Sequence, residues 1–106
     1  MRSRSLGSTG IDVSEIVFGG GAVGGLMIRE DRPTRTQALR LALDHGVNWF
    51  DTAPSYGDGQ SEENIGSALA ELGAVPHLST KVSVRPEHFA DLAGEMTMVT
   101  DFVQRQ

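Results

Sequence analysis

Three short apolar runs, at residues 16–18, 47–50 and 78–80, are separated by two stretches of helical periodicity. That alternation restricts the fold more than any other feature of the chain. Strands that alternate with helices pair in parallel, and the crossover between them is right-handed. The first helical stretch, residues 34–45, places Ala38, Leu39, Ala42 and Leu43 on one face. Asp31 and Thr34 are candidate N-caps, and Gly46 stands where helices commonly stop. The second stretch, residues 61–72, has the stronger pattern. Ile65, Ala68, Leu69 and Leu72 recur at the spacing of one apolar stripe. Ser61 is its candidate cap, Glu62 and Glu63 put negative charge at the positive end of the helix dipole, and Gly73 ends it.

A hairpin is predicted before this unit. Residues 4–6 and 11–13 flank the turn sequence Gly7-Ser8-Thr9-Gly10. The continuous apolar character of residues 16–18 predicts a strand buried on both faces. Beyond the third strand, residues 87–104 place Leu92, Met96, Val99 and Val103 on one helical face. Gly94 inside that segment costs about 1 kcal/mol of helix stability. The fold class is therefore α/β: an N-terminal β-hairpin followed by a βαβαβ unit. A chain of 106 residues holds one domain, with residues 86–106 as its tail.

Composition removes several classes of function. The net charge is −5, and Arg2, Arg4, Arg29, Arg32 and Arg35 are dispersed among acids. A nucleic-acid footprint needs a basic patch. The absence of cysteine excludes disulfides, thiolate metal sites and thiol nucleophiles. His45, His77 and His88 lack metal-ligand spacing, so no metal site is expected, and His45 is read as a favourable cation near a helix C-terminus. No apolar run has the length of a membrane span. The first ten residues lack the apolar core of a signal peptide. The expectation is a cytoplasmic protein with no membrane partner.

Gly19-Gly20-Gly21-Ala22-Val23-Gly24 fits the G-x-G-x-x-G pattern of a dinucleotide-binding turn after a strand. That fingerprint also requires a helix starting inside the motif, to receive a pyrophosphate at its N-terminus. Here Gly25 follows at once and Pro33 comes soon after. The other reading is a glycine-rich strand–helix loop lying close to a ligand.

Asp51 ends the second apolar run, Tyr56 follows five residues later, and Lys81 comes just after the third run. Singly these residue types are ordinary: a turn-capping aspartate, a packed tyrosine, a solvated lysine. Trp49 alone reads as strand core. Together, Asp51, Tyr56 and Lys81 all fall at or just past the C-terminal ends of parallel strands, where active sites of α/β sheets gather. A phenol with a reference pKa of about 10 gives up its proton more readily beside an ammonium group. A carboxylate keeps that ammonium charged and oriented. This is the chemistry of a carbonyl reductase.

At these residues the chain resembles the aldo-keto reductase family, nicotinamide-dependent (β/α)8 barrels of the TIM type. The similarity runs through residues 6–14 (LGSTGIDVS), 46–57 (GVNWFDTAPSYG), 61–62 (SE) and 79–82 (STKV). The resemblance implies that Tyr56 is the general acid, that Lys81 favours its ionised form and that Asp51 supports Lys81. It implies that Gly19, Gly20, Gly21 and Asp51 approach the nicotinamide end of an NADP or NAD cofactor, and that the substrate is a small aldehyde or ketone. The family's fourth catalytic residue is a histidine after the next strand, and no position here matches it.

A complete barrel takes roughly 250 residues, and its phosphate-binding loops follow the last strands. The chain is therefore expected to be a truncated portion of the barrel, inactive alone, without tight cofactor binding, and prone to self-association through its open sheet. Two alternatives remain at this level. One is a non-catalytic α/β module that pairs with itself or with a complementary fragment. The other is a Rossmann-type nucleotide binder.

Overall fold

The computed structural model describes residues 1–83. The amphipathic segment at residues 87–104, the rest of the tail and His88 lie outside the described residues. Strands β1 (Ser3–Ser5) and β2 (Asp12–Ser14) pair antiparallel, with Arg4 opposite Val13. This is the predicted hairpin, displaced by one residue. Asn48 fastens it to the rest of the chain: its Oδ1 accepts from Ser14 N at 2.7 Å and its Nδ2 donates to Asp12 O at 3.0 Å.

Strands β3 (Phe18–Gly19), β4 (Trp49–Asp51) and β5 (His77–Ser79) form a parallel sheet with β4 in the centre. Phe18 stands opposite Phe50, and Phe50 opposite Leu78. Strands β3 and β4 are each one residue shorter than the apolar runs, β5 is equal in length, and all three are shifted by one or two residues. One expectation needs correction: the first run is not buried on both faces. Ile16 is 58% exposed and Val17 38%. The helices that contribute to the core pack against the face bearing Phe18 and Phe50, and Ile16 and Val17 are left outside that contact.

Helix α1 (Leu26–Arg29) is a single turn that the sequence reading did not anticipate. Its Met27 is almost fully buried in the core. Helix α2 (Arg32–Asp44) starts on Asp31, whose carboxylate accepts from Thr34 N at 2.8 Å. This settles the choice between the two candidate caps, and Pro33 sits in the first turn, where a missing N–H costs nothing.

Helix α3 (Gln60–Leu72) begins and ends on glycines in left-handed geometry, Gly59 at φ 90° and Gly73 at φ 64°. Ser61 is therefore not the cap. The positive φ at Gly59 opens the helix a residue earlier and draws Ser61 into the first turn, where it is fully buried. Its hydroxyl serves tertiary contacts instead. Glu62 and Glu63 do lie in the first turn, and Gly73 does end the helix. The core joins Met27, Leu39, Val47, Phe50, Ile65, Ala68 and Leu69, with Phe18, Ala42, Leu43 and Leu72 packed on it. Three of the four residues of the predicted α3 stripe are buried and the fourth is partly so.

Candidate active site

Parallel pairing brings the ends of β3, β4 and β5 to one edge of the sheet. Asp51 is the last residue of β4, opposite both Gly19 and Ser79. Thr52 N donates to Ser79 O at 2.9 Å, which continues the pairing past the strands and holds the start of the Tyr56 loop against β5. That loop is a series of tight turns: Tyr56 N donates to Ala53 O at 3.1 Å and Ser61 N to Tyr56 O at 3.2 Å. Tyr56 is thus carried on a short rigid bridge between β4 and α3.

Lys81 lies just past β5. Its Nζ donates to Asp51 Oδ2 at 3.1 Å and to Thr52 O at 2.8 Å, and sits 5.0 Å from the centroid of the Tyr56 ring. The structure therefore brings together Asp51, Tyr56 and Lys81. A cation at that distance from an aromatic face is attracted by the ring quadrupole.

The hydrogen bond from Ser79 Oγ, 2.6 Å from Asp51 Oδ1, is the main cause that holds the Asp51 carboxyl below its ordinary value. Burial opposes it, and Lys81 reinforces it. The bond to Asp51 is the main cause that raises the Lys81 ammonium above its ordinary value, with Tyr56 adding to it.

These shifts imply a pH window. Asp51 has a lowered folded value, so its contribution to stability is present above the unfolded value of about 3.9 and disappears as pH falls through the folded one. Lys81 has a raised folded value, so its contribution is present below about 10.4 and disappears as pH rises through the folded one. The side chains are 38% and 50% exposed, so solvent screening keeps the contribution small. We expect the melting temperature of the Lys81→Met variant to fall below that of the parent at neutral pH. The gap should narrow toward both pH extremes. Melting curves from pH 3 to 11 check this, and a gap that widens in strong alkali would contradict it.

The glycine-rich loop is tied in by buried hydroxyls. Ser61 Oγ donates to Gly20 O at 2.8 Å and lies 2.8 Å from Thr52 Oγ1, while Gly20 N donates to Asp51 O at 2.8 Å. A Cβ on Gly20 would stand 2.5 Å from Ser61 Oγ, 2.9 Å from Ile65 Cδ1 and 3.3 Å from Asp51 O. Ser61 has no slack, because it already holds two partners. Gly20→Ala is expected to cost about 1–3 kcal/mol, the usual range for overpacking, read by chemical denaturation. An unchanged midpoint would show that the loop yields freely.

Gly21 differs. A Cβ there would rest 3.7 Å from Tyr56 Cζ, an ordinary contact. Gly21 therefore sits beside the hydroxyl end of the Tyr56 ring and has room for a methyl group there. Gly19, at the end of β3, has no neighbour near its missing side chain. No helix starts inside the glycine motif. The next one, α1, begins at Leu26 and is four residues long, so the helix that a Rossmann-type site needs is missing there.

Two further residues escaped the sequence reading. Ser79, the second partner of Asp51, was visible only as a strand residue. Trp49 is not simply core: it is half-buried, and its indole Nε1 donates to Ser79 Oγ at 2.9 Å. The nearest signal was their spacing from Asp51 and Lys81. His45 has a structural partner, Leu41 O at 2.8 Å from Nδ1. No cluster of metal-ligating side chains exists among the described residues, and no helix there is long and apolar enough to cross a membrane.

The chain is similar to known proteins in sequence and in fold. The sequence pattern of the Aldo/keto reductase family matches residues 15–103. The aldo-keto reductase YhdN of Bacillus subtilis is 46% identical over 74 residues, which is 69% of this chain and 22% of that protein. The solved structure of the glycerol dehydrogenase AKR11B4 from Gluconobacter oxydans superposes with a TM-score of 0.64 at 34% identity, over 78% of this chain and 26% of that one. The aldo-keto reductase AKR11C1 from Bacillus halodurans, in its holo form, gives 0.62 at 27% identity, over 99% and 36%. The chain thus spans between about a fifth and about a third of the length of these relatives, and the described residues correspond to a portion of their barrel, not a closed one. With its sequence matched across most of its length and its sheet reproduced in solved relatives, the chain belongs to the aldo/keto reductase family.

Proposed function

We propose that this chain carries the proton-donating part of a reductase that converts an aldehyde or ketone to an alcohol. One observation carries the reading: the Lys81 ammonium is fixed by Asp51 Oδ2 and Thr52 O beside the only tyrosine of the chain. Tyr56 donates its hydroxyl proton to the carbonyl oxygen as negative charge grows there. The phenolate left behind is stabilised by the ammonium, and Asp51 keeps the ammonium in place. NADPH or NADH, when bound, supplies the hydride that reaches the carbonyl carbon.

The residues present fit that cofactor only at one end. Gly21 lies beside the hydroxyl end of Tyr56 and Gly20 N is bonded to Asp51 O, and on the family resemblance Gly19, Gly20, Gly21 and Asp51 would approach the nicotinamide end. The described residues offer no comparable cradle for a pyrophosphate, which calls for a helix N-terminus or a basic loop. Helix α1 is only four residues long, the N-terminus of α2 is already occupied by the Asp31 carboxylate, and the first turn of α3 carries Glu62 and Glu63, so none of the three suits a polyanion. The net charge of −5 also disfavours a polyanion. We therefore expect these 106 residues alone to show neither micromolar NADPH binding nor carbonyl turnover.

The test replaces the matching segment of the Bacillus subtilis relative with this chain's residues 1–83. NADPH-dependent reduction of a generic aldehyde by the chimera supports the reading. A folded chimera that binds NADPH but reduces no carbonyl compound overturns it. The isolated chain is titrated in parallel by nicotinamide fluorescence.

A second reading, a module that self-associates, is favoured by the exposed apolar side chains at the two outer strands. Leu78 of β5 is 59% exposed, and Ile16 and Val17 precede β3. Outer strands with bare apolar neighbours invite pairing with another chain. Light scattering across a concentration series distinguishes a monomer from a defined oligomer.

A further inference from the structure

Behind the Asp51–Lys81 pair stands a line of polar contacts that the reaction itself does not consume. Trp49 Nε1 donates to Ser79 Oγ at 2.9 Å, and Ser79 Oγ donates to Asp51 Oδ1 at 2.6 Å. On the other side of the carboxylate, Oδ2 accepts from Lys81 Nζ at 3.1 Å. Strand geometry builds this line. Trp49 and Asp51 are two apart on β4, so they share one face of the sheet. Ser79 stands opposite Asp51 on β5 and is within reach of both.

The direction of each bond is forced. An indole nitrogen can only donate, and an ionised carboxylate can only accept. A hydroxyl between them must accept from Trp49 and donate to Asp51. With Oδ1 held this way, the carboxylate presents Oδ2 to Lys81. The terminal torsion of an aspartate is otherwise broad and nearly two-fold, so an unanchored carboxylate would exchange its oxygens freely.

We propose that Ser79 is a positioning residue that aims the Asp51 carboxylate at Lys81, and that Trp49 sets the direction in which the Ser79 hydroxyl donates. This rests on the reading of Asp51, Lys81 and Tyr56 as the proton-donating group, and extends it by two residues that act through Asp51. The dominance of the Ser79 bond among the causes that depress the Asp51 carboxyl agrees with it.

The sequence makes the test sharp. The chain has a single tryptophan, so its indole N–H gives one unambiguous resonance in a 1H–15N spectrum. That resonance is followed on acidification together with the Asp51 carboxyl carbon. The charged and titratable groups around the pair are Lys81, Tyr56, Glu62 (bonded to Thr80) and His77, which stands opposite Trp49 on β5. His77→Gln is used as the background, so that imidazole titration cannot move the indole signal.

The indole resonance is expected to move with the same midpoint as the Asp51 carboxyl. Ser79→Ala should uncouple the two and raise the Asp51 midpoint. Ser79→Thr, which keeps the hydroxyl, should restore both. Trp49→Phe should raise the midpoint in the same direction. An indole signal that stays flat while Asp51 titrates overturns the proposal, as does an Asp51 midpoint indifferent to Ser79→Ala. If Ser79→Ala fails to fold by circular dichroism, the indole trace of the serine-containing protein decides alone. None of these measurements needs cofactor or carbonyl substrate. A coupled indole in a chain whose chimera reduces nothing would leave this proposal standing and remove the reductase reading.

Discussion

Phe50→Ala is expected to abolish the cooperative unfolding of this chain. Phe50 is completely buried at the centre of β4, the middle strand of the sheet. Its ring lies 5.1 Å from that of Phe18, tilted by 34°, and it belongs to the same cluster as Leu39 from α2 and Ile65 and Leu69 from α3. The parallel sheet, α2 and α3 therefore all contribute to the cluster that holds this side chain. Truncating a buried phenylalanine costs about 3–5 kcal/mol, because the lost transfer energy is joined by an unfilled cavity. Whole domains are stable by only about 5–15 kcal/mol, and small ones fall at the lower end. A thermal melt followed by circular dichroism should lose its sigmoidal shape. Leu41→Ala, at a position 55% exposed, is the control and should stay within roughly 0.5 kcal/mol of the parent. A sharp transition in the Phe50 variant, lowered by only a few degrees, would show that the core is not organised around this residue.

The largest functional effect is expected from Tyr56→Phe in the chimera with the Bacillus subtilis relative. The substitution leaves the ring beneath the Lys81 ammonium and removes only the hydroxyl. General acid catalysis by a positioned side chain contributes about 10²–10⁴-fold, so kcat/KM should fall by that factor. The proton is needed as charge develops on the carbonyl oxygen. The loss should therefore appear in kcat, with KM nearly unchanged. Steady-state kinetics with a simple aldehyde check this. A decrease of less than tenfold would mean that another group supplies the proton, and the roles assigned to Lys81 and Asp51 would lose their object.

The architecture was legible because it depends on period and order. A stripe at residues 65, 68, 69 and 72 can bury itself only as a helix, and strands that alternate with such helices can pair only in parallel. The three residues of the candidate site were legible for a related reason. In a parallel sheet all strand ends fall on one edge, so residues that follow successive strands become neighbours without any knowledge of packing. The local misreadings have a common cause. Ser61 looked like a helix cap because capping residues are recognised by type, but the left-handed Gly59 had already opened the helix. Ile16 and Val17 looked buried because apolar runs are read without knowing which face has a partner. Met27 and its single helical turn were missed because four residues carry no period.

What the sequence determined by itself was the order of the strands and the two long helices, the family, and the choice of Asp51, Tyr56 and Lys81 as the candidate site, since these rest on local pattern and on linear position. Only the tertiary structure decided which groups bind which. The grip of Ser61 on the Gly20 carbonyl spans forty-one residues, and the contact of Trp49 with Ser79 spans thirty. Hydrogen bonds of this kind need a donor and acceptor within about 3 Å and aligned. That condition depends on register and side-chain direction at once, and neither is written in spacing along a single strand.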